Sequence, residues 1–166
     1  MSELKKLNIN AIPKALERAM RYRLLNEPFQ TESICRDILA VDADNQDARV
    51  ILVLAMTDQF GQEKSPSLAT VEDELRHLTD NYKQTYYTGI AFERRAIASI
   101  RSNRILDTGN AYDVLQKAME YYQKAEDIQP ENNNDAIVRW NACIRLIDRH
   151  NLKPAPEEDK FQPYGD

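Results

Sequence analysis

The side chains with the widest chemical scope in this chain are two histidines, two cysteines and a run of tyrosines and arginines. His77 and His150 lie far apart, each near the end of a helical pattern, and neither has a second metal ligand at helical spacing. A histidine in that position ordinarily interacts with the last carbonyls of its helix, whereas a zinc site needs three or four converging ligands. Cys35 and Cys143 are equally isolated and read as reduced core thiols of a cytoplasmic protein, with a disulfide or redox pair as the alternative. The chain has no glycine-rich phosphate loop, no HExxH, no CxxC and no nucleophile elbow. Glu72, Asp73 and Glu74 fit a solvated helix face. The expectation is a protein that catalyses nothing and holds no cofactor or metal. An enzyme would instead need a polar pocket with perturbed carboxylates, and no motif points to one.

The segment "NYKQTYYTGIAFERR" is different. Tyr82, Tyr86 and Ile90 recur every four residues, Arg94 extends the stripe, and Tyr87 lies beside it. Aromatics and arginine are what protein-binding hot spots favour, and a stripe at helical spacing also suits a core; both readings stay open. Arg94, Arg95, Arg101 and Arg104 form a basic cluster that would either receive an acidic or phosphorylated partner or pair with nearby carboxylates on a long helix.

The elements that position these residues follow from the whole chain. Its 166 residues fit one domain, long enough to bury a sizeable core. The 27 acidic against 22 basic residues give a formal charge of −5, which disfavours general nucleic-acid binding. No window approaches the length of a membrane span, and "MSELKKLNINAIPKALERAM" lacks the apolar stretch and cleavage site of a secretory signal.

Only four glycines are present and helical periodicity dominates, so the expected fold is all-α with about seven helices. They are read at 11–26, 28–41, 46–60, 66–79, 81–102, 110–128 and 133–149. Pro13 and Pro28 sit in first turns, where a missing N–H is harmless. Asp44, Ser65 and Asn110 are the expected starts of the third, fourth and sixth helices. "VILVLAM" is apolar all round and predicts a central third helix. Trp140 is expected to seal the end of the core. Residues 1–10 read as a lead-in, 11–149 as the helical domain, and 150–166, with three prolines, as an extended tail in which Phe161 and Tyr164 would dock on the chain's own groove or on a second copy, or stay free.

The junctions "VDADN" and "LTDN" end 36 residues apart, close to a solenoid period. Within "AMEYYQKAEDIQP", Ala118, Tyr122, Ala125 and Pro130 follow one another at spacings of four, three and five. Small residues let helix axes approach, a ring fills the groove between them, and the proline ends the run. This resembles the second helix of the tetratricopeptide repeat, A-x3-F/Y-x2-A-x4-P. Gly89 with Phe92, and Ala19 with Tyr22, resemble the small residue and aromatic of that repeat's first helix. The first pair departs in its second helix, with Thr31, Cys35, Ile38 and Ala43 at those places. The second pair departs further, and the third is about 17 residues too long. An ordinary antiparallel bundle uses the same residues.

The resemblance implies helix pairs stacked as a right-handed α-solenoid, with the seventh helix as cap. It also implies a concave groove lined by Leu16 and Met20, Val50 and Leu54, and Tyr86, Ile90 and Arg94. Members that grip acidic chaperone tails use lysine and asparagine where this chain has Leu16 and Met20, so no such clamp is expected. The partner would be another protein offering an apolar or amphipathic segment, with no nucleic acid and no membrane insertion, and a homo-oligomer is compatible. The runner-up is a dedicated chaperone for a secreted client, since small acidic secretion chaperones are similar in size and charge.

Overall fold

The computed structural model describes residues 2–102 and 110–156. Arg104, Phe161 and Tyr164 therefore lie outside the described residues. Those residues form an all-helical chain: a short 3-10 turn at Ile9–Ala11, then α1 (Ile12–Leu24), α2 (Pro28–Val41), α3 (Gln46–Asp58), α4 (Leu68–Leu75), α5 (Asn81–Ser102), α6 (Ala111–Asp127) and α7 (Asp135–His150). Each helix packs on the next in sequence, α1 also meets α3, and α3 meets α5.

The helix boundaries follow from local chemistry. Pro13 and Pro28 stand in first turns as expected, and the Asn110 side chain accepts the Asp113 N–H to start α6. Two expected starts are corrected. Asn45, not Asp44, caps α3 by accepting from the Ala48 N–H at 2.9 Å, because it stands one residue nearer the first turn and is free to fold over it. Ser67, not Ser65, caps α4 through the Thr70 N–H. That helix also stops at Leu75 instead of 79, and "HLTD" is needed to reach α5, where Asp80 accepts from the Lys83 N–H. Gln46 ties this junction to the previous one, accepting from the Thr79 N–H at 2.9 Å. Left-handed Asn26 ends α1 and left-handed Asn151 ends α7, each followed by an N–H that reaches back five residues, Glu27 to Tyr22 and Leu152 to Ile147.

The apolar interior is continuous along the chain. One cluster joins α1 to α5 through Ala19, Cys35, Leu52, Met56 and Val71. A second joins α5, α6 and α7 through Ile90, Leu115, Tyr122, Ala136 and Cys143. Helix α3 is central, as "VILVLAM" predicts: seven of its thirteen residues are buried. Leu7 packs on Ile12, Ile38 and Ala48, so the lead-in contributes to the core. The start of the tail is also held. Leu152 packs on the second cluster, and the Lys153 carbonyl accepts from Asn110 at 3.1 Å.

The third pair packs as its residue types predict. Ala118, Tyr122 and Ala125 are buried on α6, and Gly89 on α5 leaves room for the Tyr122 ring. Thr31, Cys35 and Ile38 are buried at the corresponding places on α2, where the Thr31 hydroxyl donates to the Ala19 carbonyl at 3.2 Å. Phe92 is half-buried and stacks on Tyr121 with centroids 5.6 Å apart. Pro130 is exposed in the turn after α6. Tyr22 does not behave like Phe92: it is 37% exposed, because its side of α1 has no helix over it.

Candidate functional site

Leu16 and Met20 on α1, Val50 on α3, and Tyr87 with Lys83 on α5 line one open cleft of about 390 Å³, rimmed by Glu17 and Asp47. The contacts of α1 with α3 and of α3 with α5 create it. Three of the expected groove residues are therefore gathered in one place. Met20 is 40% exposed at the cleft, while Leu16 and Val50 are half-buried in its wall. Tyr87 completes the wall; its position beside the Tyr86 stripe was the available signal.

Leu54 of α3 does not line this cleft; it is half-buried and, like Tyr82, Tyr86 and Tyr87, packs against the second apolar cluster. Tyr82 and Tyr86 stack at 5.6 Å, Tyr86 meets Tyr87 edge-on at 5.2 Å, and Tyr86 approaches Tyr122 at 6.0 Å. These offset and edge arrangements suit the ring quadrupoles. Burial, assisted by Asp135, pushes the Tyr82 hydroxyl up to about 12, and it donates to Asn133 at 3.3 Å. Tyr86 is half-buried in this ladder, so it both supports the core and reaches its edge.

Ile90 and Arg94 stand elsewhere. Ile90 is only 3% exposed and belongs to the core, because α6 covers that face of α5. Arg94 is committed to the fold: its guanidinium donates to Asp58 at 2.6 Å, to the Thr57 hydroxyl at 2.7 Å and to the Leu54 carbonyl at 3.1 Å. Arg23 reaches the other oxygen of Asp58 at 2.9 Å. One carboxylate thus links α1, α3 and α5. Burial lowers the Arg94 guanidinium from its ordinary value, and Asp58 opposes that shift. Asp58 carries no motif, so nothing in the sequence singled it out. Arg95 sits over the Phe60 ring at 5.4 Å, leaving Arg101 as the exposed member of the described cluster.

A second polar group lies between α5, α6 and α7. Glu93 is 2% exposed, receives a short hydrogen bond from the Tyr122 hydroxyl and receives another from Arg139 at 3.2 Å. A buried carboxylate is tolerated only with such partners. Burial first, and Glu93 second, push the Tyr122 hydroxyl far above its ordinary value and the Cys143 thiol up to about 12. Cys35 is raised to about 12, chiefly by burial. Both thiols are buried and free. Trp140 packs against this cluster, half-buried, at the α7 end.

His77 is exposed just beyond α4, and His150 is the exposed last residue of α7. Among the described residues no three His, Cys, Asp or Glu side chains converge on a metal-sized site, and no helix is long and apolar enough to cross a membrane. No family model, no curated protein and no solved structure matches this chain.

Proposed function

We propose that this chain is a tetratricopeptide-like α-solenoid that works by docking: α1, α3 and α5 form an inner face that receives an apolar or amphipathic segment of another protein, without catalysis. The observation that carries this reading is the open cleft in which Leu16, Met20 and Val50 meet Tyr87 and Lys83. It has apolar walls, an accessible thioether and an aromatic ring, the kind of surface that accepts a helix face laid into a groove. Glu17, Asp47 and Lys83 on its rim would fix the orientation of an amphipathic partner. Arg94 and Ile90 act beneath this face and stabilise it. The contacts between consecutive helices, together with those of α1 with α3 and α3 with α5, are the pattern expected when helix pairs stack.

The test is a paired capture from native lysate with wild type and Met20→Asp as baits, bound proteins being read by mass spectrometry. A protein held by wild type and lost from the folded variant supports inner-face docking. Identical captures would move recognition to another surface, and a preference for unfolded over folded forms of the captured protein would favour the client-chaperone reading.

A further inference from the structure

The opposite side of α1 carries a second groove. Leu7, Ala15, Tyr22 and Ile34 line it, together with Lys14 and Arg18 from α1 and Asp37 from α2, over about 390 Å³. Ala15, Arg18 and Tyr22 face this groove while Leu16, Glu17 and Met20 face the inner cleft, so α1 separates the two. Near the end of the groove marked by Tyr22, Leu25 in the turn after α1 is 65% exposed and Phe29 in the first turn of α2 is 76% exposed.

The charges lining this groove are sorted by helix. Lys14 and Arg18 stand one turn apart on α1, and Asp37 stands on α2. None of the three takes part in an ion pair among the described residues. The neighbouring Arg36 of α2 is already paired with Glu32 at 2.7 Å, so Asp37 sets the sign of α2 at the groove. The two helices are antiparallel neighbours, which brings Asp37, near the end of α2, level with the start of α1, where Lys14 stands. We propose that this face binds a second copy of the chain, forming an isologous dimer in which each α1 lies antiparallel over the partner's α2.

Charge selects both the occupant and the arrangement. A two-fold axis parallel to the helices keeps each residue at its own height and places the Lys14 and Arg18 side of one copy over Asp37 of the other, twice. A two-fold axis perpendicular to the helices would place α1 on α1, basic against basic, which costs binding energy. The first arrangement also gathers Tyr22, Leu25 and Phe29 from both copies at one end, where their apolar surface leaves water. The result is a four-helix packing at the end of the array remote from α7, with the inner clefts of both copies left open.

Sedimentation equilibrium on the full chain tests this at concentrations up to about 100 µM. Wild type is expected to be a dimer. Phe29→Glu, a change at an exposed position, is expected to keep the helical circular dichroism spectrum and raise the dimer dissociation constant about 100-fold or more, since each substitution enters the interface twice. Asp37→Lys alone should weaken the dimer by setting like charges against each other. Combining it with Lys14→Glu and Arg18→Glu, which reverses the whole pattern, should restore it. A wild type that stays monomeric overturns the proposal. So does a dimer that Phe29→Glu leaves intact, or a triple variant no tighter than Asp37→Lys alone.

Discussion

A methyl group placed on Gly89 would sit 2.7 Å from Cε1 and 2.8 Å from Cδ1 of Tyr122. That ring is 1% exposed and held at its far end by Glu93, so it has nowhere to move. Helix α5 therefore carries a glycine in its interior, at a cost in intrinsic helix propensity of about 1 kcal/mol, because α6 fills the space with an aromatic ring.

Gly89→Ala recovers that propensity and still destabilises the protein. Overpacking of a filled core costs about 1–3 kcal/mol against the roughly 1 kcal/mol recovered, so a net loss of up to roughly 2 kcal/mol is expected. Thermal melting should show a lower Tm, by up to roughly 4–8 °C for a chain of this size. In the background of Tyr122→Leu, which removes the ring, the same substitution should no longer lower Tm. A Tm raised by Gly89→Ala in the wild-type background would show that the ring is free to shift.

Tyr122→Phe keeps the packing and removes the hydroxyl that donates to Glu93. The buried carboxylate then retains Arg139 alone, and a loss of about 1–3 kcal/mol is expected in urea unfolding with an unchanged m-value. Arg139→Ala should be comparably costly, and the two effects should be non-additive because both act on one carboxylate. Simple additivity would contradict the shared site.

Asp58→Ala leaves Arg23 and Arg94 facing each other without the carboxylate between them. Both guanidiniums are largely enclosed, each about 19% exposed, so breaking the arrangement should cost about 2–3 kcal/mol, somewhat less than for a fully buried pair. Arg94→Ala should likewise lower stability. A variant that loses partner binding while keeping wild-type urea stability would return Arg94 to the role of a groove residue.

Alkaline pH should weaken the fold through its thiols. Cys35 and Cys143 are raised from 9.0 to about 12 in the folded chain. Below pH 9 both states hold the proton and the contribution is complete. As pH rises from about 9 towards 12 the unfolded chain loses protons that the native chain keeps, so stability falls by roughly 1 kcal/mol per thiol per pH unit. Tyr122 adds to the fall above its ordinary range near 10, its hydroxyl being raised first by burial. Replacing both cysteines with alanine should flatten the part of the fall between pH 9 and 10. Rapid labelling of native protein by a thiol reagent at neutral pH would show that the thiols are accessible instead.

Helix positions were readable from the sequence because prolines, Asn110 and the central apolar run state them locally. The close packing of α6 was readable too, since Ala118 and Ala125 permit a close approach and Tyr122 fills the groove between them, but Gly89 as the residue opposite the ring was not. The caps of α3 and α4 were misplaced by one or two residues because Asp44 and Asn45, or Ser65 and Ser67, offer equivalent side chains, and only the backbone decides between them. That Leu16, Met20 and Val50 come together was legible, and they line one cleft. Ile90 and Arg94 do not line that cleft, because the rotation of a long helix between two neighbours depends on what covers it. Asp58 and Glu93 look like ordinary helical acids in sequence. Their importance arises from side chains 29 to 46 residues away, which no local pattern encodes.

Recognition through the inner cleft is tested most directly by a photo-crosslinking amino acid placed at Met20, compared with the same group at Glu120 on the exposed side of α6. After irradiation in the native cell, adducts with a discrete protein are expected from position 20 and not from position 120. Adducts from position 120 alone, or from neither, would contradict docking on the face formed by α1, α3 and α5.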